Sequence, residues 1–255
     1  MIKIKHRNVS LVILLMLLVF QVNSAYSKDS HAKNRTNYFA PYTDIAPEID
    51  GKADESVWQL AKWQNLEHRW LGPEYAKEDF QGRYKVVWSK SKLYILTEIV
   101  DDILIDTHRD PLIQYWDDDT LEIFLDEDFS GGDHQYNHNA FAYHMSLDNQ
   151  AIDIGTNKLA QKYSHHVESR WQQQGDKLIW EVSIDIYTDA YQDQSENNQA
   201  VELVAGKMMG LMLAYCDNDG SELRENFIGS ETAPGKEPDR GWKDAGIFGK
   251  LILSK

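Results

Sequence analysis

The chain has 255 residues and sets 26 Lys and Arg against 41 Asp and Glu, a formal net charge of −15. That balance argues against nucleic acid and anionic membrane surfaces as partners, and fits a neutral ligand, a bound cation or plain solubility. A single cysteine, Cys216, excludes an intramolecular disulfide; set in the apolar run MLAYC, it reads as a small buried hydrophobe.

The first residues read as a targeting segment. Lys3, Lys5 and Arg7 precede an apolar run, Leu11–Phe20, and Ala25-Tyr26-Ser27 offers small residues where a signal peptidase cuts. The run is about half of the ~20 residues a membrane span needs. Residues 1–27 are therefore expected to be a signal peptide cleaved after Ser27, with an uncleaved anchor as the alternative. No cysteine closes the run, so a lipoprotein signal is not expected. The protein is expected to be exported, periplasmic or extracellular, with no stable membrane insertion after cleavage. Cleavage removes three Lys/Arg and no acid, so −15 becomes −18. With no disulfide, stability outside the cell must come from the core or from metal.

Residues 28–40 are polar and unpatterned and read as a flexible leader. The length of 41–255 fits one all-β domain. Ile45–Gly51 is expected to begin the fold, and Asp54 to cap a short helical turn that presses Trp58 inward. Phe80–Trp88 and Leu93–Val100 read as a hairpin: Tyr84, Val86 and Trp88 alternate with Arg83, Lys85 and Val87, and Ser89–Lys92 is a short polar turn. Thr120–Asp126 alternates Leu121, Ile123 and Leu125 against Thr120, Glu122, Phe124 and Asp126. The aliphatic parity is expected on a core; the other mixes a carboxylate with a ring, which suits a surface meeting something polar yet flat.

His134–Leu147 is expected to return as a strand, with His138 and His144 on one parity and Phe141, Tyr143 and Met145 on the other. Ala151–Ile154 follows after a turn. His166–Gln174 and Leu178–Ile186 form another hairpin with Trp180, Val182, Ile184 and Ile186 on one face. Lys207–Tyr215, Phe227–Gly229 and Ile247–Leu253 supply the last strands. About ten strands, with turn residues between them and no sustained helical period, predict an antiparallel β-sandwich of jelly-roll type.

Several stretches resemble carbohydrate-binding modules of family 9. Ile49–Trp58 reads I-D-G-x-x-D-E-x-x-W, and Tyr115–Asp126 (YWDDDTLEIFLD) follows about sixty residues later as a Trp-Asp-Asp strand. In the hairpin, Lys85, Trp88, Leu93-Tyr94-Ile95 and Asp101-Asp102 fit the family pattern, while Ser89 stands where Asp is usual. Asp217–Ser230 resembles the family's D-x-D-G…R segment, with Arg224 as its basic residue. The resemblance implies an exported, non-catalytic protein that holds an oligo- or polysaccharide. It also implies a sugar end clamped between two Trp rings above polar side chains, and structural calcium.

Sugars present apolar C–H faces that stack on rings and hydroxyls that take charged hydrogen bonds. Trp58, Trp88 and Trp180 lie on core patterns. Trp70, Trp116, Trp171 and Trp242 lie at loops or strand ends and are the candidate platforms. Arg83, Lys85, Glu98, Glu122 and Glu181 lie opposite the most aliphatic parities, as a hydroxyl-binding floor or as a salt-bridged outer face; Arg224 is a further hydroxyl or carboxylate partner. Oxygen ligands at alternate positions make Asp217 and Asp219 the candidate ligands of a hard cation such as Ca²⁺, or else an Asx-rich turn. Asp101-Asp102 and Asp117–Asp119 are alternative places for the cation. No organic cofactor is expected.

Two other readings stay open. His134, His138 and His144, spaced by four and six, would share one parity on a strand and could serve a metal or haem; related sandwich domains bind haem. Paired carboxylates could hydrolyse a sugar bond, but no spacing places a pair, no G-x-S-x-G, HExxH or P-loop pattern occurs, and no catalytic residue is expected.

Overall fold

The structure, a computed structural model, describes residues 35–233 and 237–255. The expected signal peptide and residues 28–34 of the leader lie outside the described residues. Fourteen strands follow in chain order: β1 (Asn37–Ala40), β2 (Gln64–Leu66), β3 (His68–Leu71), β4 (Phe80–Trp88), β5 (Leu93–Asp101), β6 (Thr120–Asp126) and β7 (Phe141–Ser146). After them come β8 (Ala151–Ile154), β9 (Ala160–Lys162), β10 (Val167–Gln174), β11 (Lys177–Ile184), β12 (Met208–Asp217), β13 (Asn226–Gly229) and β14 (Gly249–Leu253). They make a β-sandwich. The larger sheet has nine strands in the order β1-β14-β12-β6-β7-β8-β9, with β13 paired to β12 and β3. The smaller has five, β10-β11-β5-β4-β2.

The period-2 patterns fall where the alternation places them. Leu121, Ile123 and Leu125 of β6 face Tyr84, Val86, Ile95, Trp180 and Val182 of the smaller sheet in one apolar core. Burial of each such side chain contributes roughly 1.5–3 kcal/mol. The larger sheet is covered on its other face as well. There Phe124, Ala142, Met212, Ala214, Cys216 and Phe227 pack under Ala140, Ala245, Ile247 and Phe248 from connecting segments. Every residue of β6 and of β7 is consequently buried.

Several expectations need correction. Residues 37–40 are not leader. Asn37–Ala40 pairs parallel to β14, the one parallel ladder among the described strands, and buries Tyr38 and Ala40. The Tyr38 hydroxyl donates to the Lys62 carbonyl and accepts from the Val86 amide, each at 2.8 Å, so a mostly polar stretch is drawn in by two residues. β2, β3 and β9 have three or four residues, too few to show a period. Of His134–Leu147 only Phe141–Ser146 is strand; residues before it cross the outer face, where His134 lies 2.7 Å from the Gly241 carbonyl. The short turn Ser56–Gln59 is capped by Glu55 without a side-chain hydrogen bond, not by Asp54.

Trp58 is buried as expected. Its indole donates to Glu181 at 2.9 Å, and Glu181 also accepts from the amides of Asp50 and Gly51. Glu181 is therefore a buried anchor for the Ile49–Gly51 loop rather than part of an open floor. Gly51 has φ +81°, and a Cβ there would meet the backbone of Trp171 and Gln172 at 2.8 Å, so both conformation and space demand glycine.

Candidate functional site

The parity of β6 that opposes the core, Glu122 and Phe124, floors a cavity of about 270 Å³. β7 adds His144 and β8 adds Asp153 and Ile154; Tyr115 and Trp116 from the loop before β6 form one wall. Arg224 and Phe227 form another, and the turn Pro238–Trp242 brings Asp239, Gly241 and Trp242. Gly241 lets this turn lie on the sheet: a Cβ there would meet Met212 at 2.6 Å and Phe124 at 3.2 Å. Trp116 is 37 % exposed and set edge-on to Tyr115 at 4.8 Å, so one flat ring stands open at the mouth.

The floor is a closed charge network. One Glu122 oxygen takes the His144 Nε2 at 3.2 Å and the Cys216 thiol at 3.0 Å, with an Arg224 Nη at 3.6 Å. Burial alone would raise the Glu122 carboxyl, but His144, Arg224 and the thiol outweigh it and hold it below its ordinary value. Burial would likewise depress His144, yet the Glu122 charge outweighs that and raises it. Geometry agrees, because His144 Nδ1 lies 2.7 Å from the Ala142 carbonyl; a ring with acceptors at both nitrogens is an imidazolium donating twice. Arg224 stacks on Phe227 at 4.1 Å and reaches Asp239, while its amide donates to Asp117. Burial pushes Asp153 up to about 7, although the Ala142 amide and the His144 charge pull it down. The Cys216 thiol is pushed well above its usual range by burial and by Glu122.

Of the sequence candidates, Trp116, Glu122, Arg224 and Trp242 meet in this cavity. Trp70 lies just behind it, edge-on to Phe227 at 4.8 Å, with its indole donating to the Glu231 carbonyl. Trp171 stands elsewhere, on β10, packed at 6.3 Å from Trp180 and donating to the Leu147 carbonyl. Arg83, Lys85 and Glu98 lie on the outer face of the smaller sheet: Arg83 pairs with Glu98, Lys85 donates to the Trp58 carbonyl, and both cations lie over Trp63. The histidines part company: His138 joins Asp193 at 3.0 Å and His134 joins Gly241, so neither shares a partner with His144. Tyr115, Asp153 and Asp239 were missed. Only Asp153 carried a trace, as a lone carboxylate in the apolar run AIDI.

A second feature lies at the base of the loop that carries Trp116. Asp101, Asp119 and Asp217 bring carboxylate oxygens within 4.8 Å of one another, and Asp79, Asp102 and Asp219 form a second such group. Both oxygens of buried Asp217 lack a hydrogen-bond partner. Burial and mutual repulsion raise Asp101 to about 6, Asp217 to about 8 and Asp119 to about 9. An all-oxygen group with the Asp217 carboxylate orphaned within it fits a hard cation. The two sequence candidates, Asp217 and Asp219, thus fall in different groups.

Comparison with solved structures finds others of the same fold, among them three described as carbohydrate-binding. A family 9 carbohydrate-binding module from Caldicellulosiruptor kristjanssonii in complex with cellotriose has a TM-score of 0.63 at 20 % identity, covering 86 % of this chain and 94 % of that one. The glucose complex of a family 9 module from the same organism gives 0.64 at 19 %, with 86 % and 96 % covered. A candidate carbohydrate-binding protein from Bacteroides uniformis gives 0.55 at 12 %, with 86 % and 100 % covered. No curated protein matches the chain. The family described as carbohydrate family 9 binding domain-like matches residues 49–255, from the Ile49-Asp50-Gly51 loop through the closing strand, and the chain belongs to it.

Proposed function

We propose that this protein is an exported saccharide-binding protein that takes a neutral sugar unit into the cavity over β6 and breaks no bond. One observation carries the reading: Trp116 and Trp242 border a small cavity whose floor sets fixed charged donors and acceptors beside apolar ring surface. A pyranose needs both kinds of contact, its C–H face on a ring and its hydroxyls on charged groups. Glu122, His144, Arg224 and Asp239 already neutralise one another, so an uncharged guest leaves no ion unpaired. Both carboxylates of the floor are committed to protein donors. Glu122 is held by three side chains, and the Asp153 oxygens each accept a backbone amide, from Ala142 at 2.8 Å and Ile154 at 2.7 Å.

The Asp101–Asp119–Asp217 group would hold calcium, fixing the loop between β5 and β6 that carries Trp116 to the start of the segment carrying Arg224. Titration calorimetry with cellotriose tests the binding reading. Trp116→Ala and Trp242→Ala are each expected to weaken affinity about tenfold or more; affinity equal to the parent in both would rule the cavity out. Mass spectrometry of the exported protein tests the processing, with cleavage after Ser27 expected.

A further inference from the structure

The outer face of the smaller sheet holds a larger cavity than the first, about 480 Å³, and it absorbs residues the first site does not use. Two neighbouring rungs of the ladder build it. Asn65, Arg83 and Glu98 are aligned across β2, β4 and β5, and Gln81, Val100 and Lys177 across β4, β5 and β11. Leu66, Tyr75 and Phe80 close its edge. One Glu98 oxygen takes both Arg83, through Nε at 2.8 Å, and Lys177 at 3.2 Å. The Arg83 guanidinium carbon lies 4.2 Å from the centre of the Trp63 ring, Glu98 holds its Nε and one Nη and so orients its plane, and the other Nη has no protein partner among the described residues. Lys77 adds a third cation, against the carboxylates of Glu98 and Glu67. In a chain of net charge −15, this cavity is net positive.

We propose that this cavity is a second ligand site, for an anionic group borne on a sugar: a uronate carboxylate or a sulfate ester. A planar, pre-oriented guanidinium with a free edge matches an oxyanion in two-point contact, and Lys177 adds a point charge beside it. Tyr75, half-buried at the edge and packed edge-on to the buried Phe80, offers ring surface for the sugar. That the anion rides on a saccharide rests on the reading of the first cavity; the oxyanion chemistry does not.

Calorimetry on the whole protein with tri-galacturonate and with a sulfated carrageenan disaccharide tests this, with galactotriose as the neutral control and cellotriose run in parallel. Binding of at least one acidic probe is expected, weakening as salt rises, and the probe that binds identifies the acid. Arg83→Gln, a change at a half-buried position, is expected to weaken that binding at least tenfold while leaving cellotriose affinity unchanged, and Trp116→Ala is expected to do the reverse. Failure of both acidic probes to bind at millimolar concentration, or equal affinity in Arg83→Gln, overturns the proposal whatever cellotriose does.

Discussion

The two outer faces of the sandwich are written in the same alphabet and behave differently. On β6 the outward positions are Thr120, Glu122, Phe124 and Asp126, and all are buried. On β4 the corresponding positions are Gln81, Arg83, Lys85 and Val87, and Arg83 keeps 41 % of its side chain exposed. The strands do not make this difference. It comes from what crosses over them: the segment before β7, the turn at Pro238–Trp242 and Ala245–Phe248 roof the larger sheet, while among the described residues the smaller sheet carries the cap around Trp58 at one end. A roof turns a charged strand face into a network that must satisfy itself. An open face leaves its ions screened, and the energetics separate accordingly.

The sharpest way to break the comparison is to remove one cation from each face. Arg224→Met leaves Glu122 with His144 and Cys216 and takes the partner from Asp239, and is expected to destabilise the fold by about 1.5–3 kcal/mol and to abolish cellotriose binding. Arg83→Met removes an exposed partner of Glu98 and is expected to cost no more than about 1 kcal/mol. Urea unfolding of both variants measures the gap. Equal losses would mean that the roof does not set the worth of an ion pair here.

A smaller effect is expected from metal and pH. In the metal-free protein, Asp119 and Asp217 hold their protons to about 9 and about 8, above the ordinary 3.8. The folded state then binds more protons than the unfolded one between those values, so stability is fullest in acid and falls as pH rises through that window. Calcium requires the ionised carboxylates, so its benefit runs the other way. The melting-temperature gap between calcium-loaded and chelator-treated protein is expected to widen steadily from pH 5 to pH 9. A gap that is absent, or the same at every pH, would remove the cation from this group.

How much of this was legible in the sequence follows the same division. The limits of β4 and β6 and the inward rows of the long strands followed from period-2 patterns, because alternation separates the row that faces the core from the row that does not, and β8 was placed by the turn before it. Trp116, Glu122 and Arg224 were within reach because they sit in or beside strongly patterned stretches. Tyr115, Asp153 and Asp239 were not, because a roofed site is assembled by segments with no period of their own, and a carboxylate gains its role from what folds over it. The grouping of Glu122 with Arg83, Lys85 and Glu98 failed for a related reason: parity tells which residues share a face of one strand, not which sheet that strand joins. The candidate cation ligands show this again, since Asp101, Asp119 and Asp217 come from three separate stretches.

Trp171 provides the finest discrimination between an open ring and a working one. Sequence places it beside Trp116 as a platform, and both rings are partly exposed. Trp171, however, packs on Trp180 and fixes the chain at Leu147 through its indole N–H, on the smaller sheet, away from both the roofed cavity and the groove at Arg83. Trp171→Phe keeps most of that packing and deletes the hydrogen bond, which is expected to cost about 1 kcal/mol. Cellotriose affinity is expected to stay at the parent value, where Trp116→Phe, which shrinks a ring at the cavity mouth, is expected to lower it. A loss of affinity in Trp171→Phe comparable to that in Trp116→Phe would place a sugar contact on β10 and would extend the saccharide surface beyond the roof.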